Sequence, residues 1–183
     1  MSRIWQCTID TFGDELGPMS RLAVSVRLDY IKRVETDHTN EEKLLRQLLD
    51  RLRNTNLSTP RVMLNLAQNL RKQGKHEKAE RTARDVLLLL GQHQIYSCRT
   101  VERIESLKVV SHSQFDGGKV EAAAQTIEEA IQMIKDHLGN EHPWVTEFKT
   151  VLEDKVVDAD NLQREIDKLM KKDSTEEDLT VFN

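Results

Sequence analysis

Apolar side chains recur at three- and four-residue intervals along most of the chain, the spacing that aligns one face of an α-helix. The pattern is clearest between Pro60 and Leu90. Val62, Met63, Leu66, Ala67 and Leu70 form one apolar stripe, Gly74 interrupts it, and Ala79, Ala83, Val86 and Leu87 form a second. That order predicts a helix, a tight turn at the glycine, and a second helix running back. A second copy is centred on Gly118, with Leu107, Val110 and Ser111 before it and Ala123, Ile127 and Ala130 after it, at a period of 44 residues. Earlier in the chain, Arg21 to Val34 and Glu41 to Arg53 form another such pair, with Thr36 to Asn40 as the turn and Leu44, Leu45, Leu48, Leu49 and Leu52 as the core stripe of the second member. Leu22, Val24, Val26, Leu28 and Tyr30 also alternate as a half-buried strand does. A helix is preferred there, because Leu22/Val26 and Val24/Leu28/Ile31 keep helical spacing and a lone strand would have nothing to pair with. After Pro143, the residues Val145, Phe148, Val151, Leu152 and Val156 predict a further helix, which Leu162, Ile166, Leu169 and Met170 either extend or fold back into a hairpin.

These residues carry a family resemblance. Leu66-Ala67, Leu70, Gly74, Ala79, Ala83 and Val86 stand at the spacings of a tetratricopeptide repeat, and the segment LAQNLRKQGKHEKAERTARDVL resembles its common form. The long period and the linker Leu138-Gly139-Asn140-Glu141-His142-Pro143 are similar to kinesin-light-chain-type repeats, and Leu16-Gly17-Pro18-Met19-Ser20 resembles a degraded copy of that linker. The resemblance implies an all-α fold, a right-handed superhelical α-solenoid of antiparallel helix hairpins. Helix pairs fall at about 21–53, 60–90, 101–138 and 143–172 within a single domain of residues 1–172. Before them stands a lone N-terminal helix, in which Trp5, Ile9 and Phe12 match Ile127, Ile131 and Ile134. The segment 173–183 is acidic and poor in apolar residues, which predicts disorder.

Composition narrows the function classes. The chain of 183 residues has a net charge of −4, with 4% aromatic residues and no reader motif, which argues against nucleic-acid binding. It has no window of eighteen consecutive apolar residues and no signal-peptide pattern at its N-terminus, so the expectation is no membrane and a cytoplasmic or nuclear location. Charge is unevenly spread. From Arg61 to Arg84 there are seven bases against two acids, whereas Lys119 to Asp167 holds twelve acids against five bases. A basic middle favours an acidic partner.

Repeats of this kind line a concave face with their first helices, which the resemblance implies is the binding surface for a protein or peptide. In the repeat frame Arg61, Leu64, Asn65, Gln68, Arg71 and Lys72 face that groove, followed by Glu105, Lys108, Val109, His112 and Asp116. The expected mode has Asn65 and Gln68 bonding the backbone of an extended acidic segment, Arg71 and Lys72 pairing its carboxylates, and Lys108 and His112 completing the site. Such a chain is an adaptor or scaffold. Chaperone-tail binding fits poorly, since Glu105 and Val109 stand where the carboxylate clamp of other family members has basic residues. Ile4, Trp5, Ile9 and Phe12 would leave an apolar face that a homodimer or a longer parent array would cover. No catalytic motif is present, no cofactor is implied, and His137 and His142, five apart across a linker, do not make a metal site. The alternative reading is a small cofactor-independent enzyme or ligand carrier with a closed pocket and His112 as its base, helped by Glu105 or Asp116.

Overall fold

The computed structural model describes residues 20–34, 37–52, 58–92 and 99–157, with Cys7, Gly17, Asn161 and Arg164 besides. Seven helices follow one another through these residues, and no strand occurs among them. They are α1 (Arg21–Val34), α2 (His38–Leu52), α3 (Thr59–Lys72), α4 (His76–Gln92), α5 (Thr100–Asp116), α6 (Val120–Leu138) and α7 (143–157). From α1 to α6 each helix packs on the next, and α3 also packs on α5, so successive hairpins stack, with α7 joined to α5 and α6 through an apolar cluster. This is the expected α-solenoid.

The two turns of the repeat have one construction. Gly74 and Gly118 take φ of +72° and +75°, the left-handed region where a Cβ is unfavourable. Gly74 N–H donates to the Arg71 carbonyl and Lys75 N–H to that of Leu70; 44 residues later Gly118 and Lys119 donate to Phe115 and Gln114. The linker is repeated too. Gly17 and Gly139 have φ of +88° and +98°, Ser20 N–H donates to the Gly17 carbonyl, and His142 N–H donates to that of Gly139. Each linker then supplies a cap. Ser20 Oγ accepts from Ala23 N–H at 3.3 Å, and His142 Nδ1 accepts from Trp144 N–H at 3.3 Å, just ahead of Pro143.

Small residues set how closely the helices approach. Ala67, Ala79, Ala83, Ala123 and Ala130 have no exposed surface. One apolar cluster joins Val24, Leu28 and Ile31 of α1 to Leu45, Leu48 and Leu52 of α2 and to Val62, Leu66 and Leu70 of α3. A second joins Leu64 and Ala67 of α3, Ala83 of α4, and Val109 and Val110 of α5. A third binds α5 and α6 to Val145 and Phe148 of α7 through Leu107, Ile127 and Ile134. The core is thus a row of apolar clusters that runs from hairpin to hairpin.

Some expectations change. The alternating segment Arg21–Val34 is helical; its Val24, Leu28 and Ile31 row is the core stripe, and Leu22 stays 45% exposed. The turn before α2 is shorter than Thr36 to Asn40. Asp37 Oδ1 accepts from Thr39 N–H at 2.9 Å and the Asp37 carbonyl accepts from Glu41 N–H, which starts the helix at His38. Ile4, Trp5, Ile9 and Phe12, the rest of the chain beyond Arg164, and hence the hairpin-or-extension choice after α7, lie outside the described residues.

A Cβ on Gly118 would meet nothing within 4 Å, so the cost of replacing it is that of the backbone conformation alone. Gly118→Ala is expected to lower the unfolding free energy by about 1 kcal/mol. Gly91→Ala, in a helical segment with equal space, lowers it by nothing. Urea unfolding followed by circular dichroism checks both, and equal effects at the two positions would contradict this account of the turn.

Candidate functional site

A concavity of about 400 Å³ lies across α3 and α5, the first helices of two successive hairpins, and α7, the helix that follows them. Gln68, Arg71 and Lys72 come from α3, Ile104, Glu105, Lys108, Val109 and His112 from α5, and Trp144 and Phe148 from α7. Stacking explains why they meet: first helices lie beside first helices, so residues about 40 positions apart share one face. A smaller hollow of about 30 Å³ lies between α1, α3 and the start of α5, near Ser25, Arg61 and Glu102.

Of the six residues given a binding role from the sequence, Gln68, Arg71, Lys72, Lys108 and His112 line the groove, as do Glu105 and Val109 from the wider repeat frame, whereas Arg61 and Asp116 do not. Nor does Asn65. It is 5% exposed, its Nδ2 donates to the Arg61 carbonyl at 2.7 Å, and it cannot reach a ligand backbone as expected. Leu64, placed in the groove by the repeat frame, is buried in the seam between α3, α4 and α5. Two cations are already engaged. Arg71 Nε donates to Asp116 Oδ2 at 2.7 Å, and Lys108 Nζ pairs with the Glu147 carboxylate while standing 5.9 Å from the Phe148 ring centroid. Lys72 is exposed and forms no ion pair among the described residues. It is therefore the cation whose full charge faces the groove.

Trp144 and Phe148 stand at helical spacing beside Val145, Val151 and Leu152, the pattern of core residues. Phe148 is 4% exposed and Trp144 is half-buried, yet both also wall the groove with Ile104 and Val109. Their spacing of four residues on a first helix was the available signal. The floor is therefore part apolar and part charged.

Position shifts the titration of three groups in and beside the groove. Burial, and then the positive charges of Arg71 and Lys108, hold the His112 imidazole at about 4, against an opposing pull from Asp116. The walls desolvate Glu105 and raise its carboxyl even though solvent reaches the side chain, with Glu102 adding and Lys32, Arg61 and Lys108 opposing. Desolvation, then Arg61, lowers the Lys32 ammonium. His112 is thus neutral at pH 7 and a weak base. It has no hydrogen bond to Glu105 or Asp116, whose carboxylate is held by Arg71, so the acid–base pair entertained from sequence is not assembled.

Among the described residues no group of three His, Cys, Asp or Glu is placed to hold a metal ion, and no helix is long and apolar enough to cross a membrane.

Stacked hairpins, paired glycine turns and a groove across the first helices make an α-solenoid of TPR-like fold. Crystal structures of nearly identical TPR-like repeats of a kinesin-light-chain-like protein from Podosopora anserina share this architecture. One is a point variant, with a TM-score of 0.65 at 15% identity over 92% of this chain and 81% of that one. The other gives 0.63 at 15% identity over 98% and 87%. At that identity the likeness is one of fold. No protein-family model and no curated protein matches the sequence.

A base whose folded value lies below its unfolded one favours folding where both states are neutral. The His112 contribution is therefore full above its ordinary value of 6.5 and is lost as pH falls toward about 4. His112→Gln should lose less stability than the parent between pH 7 and pH 4.5 in urea unfolding. Identical losses would contradict the buried neutral imidazole.

Proposed function

We propose that the chain is a protein-interaction adaptor that holds an extended acidic segment of a partner in the groove across α3, α5 and α7. The fold is a protein-binding architecture in general, and the observation that carries the finer reading is the unpaired Lys72 beside the Gln68 amide and an apolar wall. A carboxylate of the partner pairs with Lys72, with the outer N–H groups of Arg71 next to it. Gln68 bonds the partner's backbone, and an apolar side chain rests on Ile104, Val109, Trp144 and Phe148. His112 takes part as a neutral hydrogen-bonding group. Arg71 and Lys108, tied to Asp116 and Glu147, give the groove its shape more than its net charge.

Trp144 on the wall is a reporter for occupancy. Fluorescence titration should show saturable binding of extended peptides rich in Glu and Asp with one large apolar residue, and none of their Lys-substituted counterparts. The Lys72→Glu variant should bind the acidic peptides about tenfold more weakly or worse. Equal affinity for acidic and basic peptides, or an unchanged affinity in Lys72→Glu, would overturn the proposal.

A further inference from the structure

A second cleft, of about 360 Å³, lies between the α3–α4 turn and the α5–α6 turn and shares no residue with the groove. Two buried polar atoms at this cleft have no partner, Ser113 Oγ and His76 Nδ1. Ser113 is 2% exposed, and its neighbours on α5 show how unusual it is. Ser106 Oγ donates to the Glu102 carbonyl at 2.7 Å and Ser111 Oγ to that of Lys108 at 3.0 Å, each folding back on its own helix. Ser113 makes no such bond, and it lines the cleft. An unpartnered buried hydroxyl is unfavourable unless something supplies its hydrogen bond.

The cleft also receives the N-terminus of α4, a helix of 17 residues. Its cap residue, Lys75, has no side-chain acceptor, so the N–H groups of the first turn, His76 to Lys78, point out of the helix without one from that residue. Of the lysines around the cleft, Lys75 is paired with Glu42 and Lys119 with Glu80, while Lys78 forms no ion pair among the described residues. Two acids also line it. Glu80 is neutralised by Arg84 and Lys119 and accepts from Gln114, which leaves Glu77 at the exposed rim. Asp116 Oδ2 stands 3.9 Å from His76 Nδ1, too far for a hydrogen bond, and is held by Arg71.

We propose that this cleft binds a small oxyanion of the phosphate class. Ser113 Oγ and His76 Nδ1, in its protonated tautomer, donate from one side, the first-turn N–H groups of α4 from another, and Lys78 supplies the charge. Water at the serine or the histidine would leave the helix N-terminus and Lys78 unanswered.

Inorganic phosphate is the probe. In an amide NMR titration at fixed ionic strength, shifts at Glu77, Lys78 and Gly117 should saturate, with sulfate competing. Ser113→Ala should weaken binding about tenfold, as expected for a hydrogen bond to a charged group. It should do so without loss of thermal stability, because it removes an unpartnered buried hydroxyl. Lys78→Gln, at an exposed position, should weaken binding while leaving the fold intact, and Glu77→Gln should tighten it. Shifts no larger than those of equal chloride, or a wild-type affinity in both Ser113→Ala and Lys78→Gln, would overturn the proposal.

Discussion

The structure depends on the close approach of helices through alanine. Ala67 and Ala83 let α3, α4 and α5 meet in one seam, and Ala79 brings α4 against the cluster of the preceding hairpin. A larger side chain at any of these fully buried positions would push hairpins apart, since packed interiors have little room to absorb added volume. The seam leaves α3, α5 and α7 side by side. The groove is therefore a product of helix stacking, with its walls supplied by whatever the sequence places on the outer surface of each first helix.

Polar ties between hairpins fix this arrangement laterally. Lys75 reaches Glu42, Arg71 reaches Asp116 and Lys119 reaches Glu80, each crossing from one hairpin to another, and Lys108 reaches Glu147 on α7. Glu42 shows the strength of one such tie: the hydrogen bond from Lys75, helped by Arg46 and Gln73, lowers its carboxyl to about 2 despite partial burial. Asn69 Nδ2 donates to Glu41 Oε2 at 2.6 Å, joining α3 to α2 inside the seam. The basic middle of the chain is consequently less basic in space than in sequence, and of the three cations that line the groove Lys72 alone forms no ion pair among the described residues.

Local features of the fold were legible in the sequence because they are set by local chemistry. Gly74 and Gly118 announce left-handed turns, and the apolar stripes around them name the buried faces of α3 to α6. The linker ending at His142 also announces the start of α7. Asp37 was a readable helix cap as well, and its side chain accounts for α2 beginning before Glu41. The site was legible as a face of the solenoid but less so as chemistry. Asn65 differs from Gln68 in exposure through a modest rotation about one helix, which a repeat frame does not resolve. Arg71 and Asp116 lie 45 residues apart, and Lys108 and Glu147 lie 39 apart, so their pairing follows only from how hairpins stack.

The central claim is that the face shared by α3, α5 and α7 is where a partner's extended acidic segment lies. Hydrogen–deuterium exchange of the full chain, with and without a saturating acidic peptide, tests it most directly. The account predicts added protection in 64–72, 104–112 and 144–148 and none in the solvent faces of α2, α4 and α6. Protection concentrated on α4 and α6, with α3 and α5 unchanged, would contradict it.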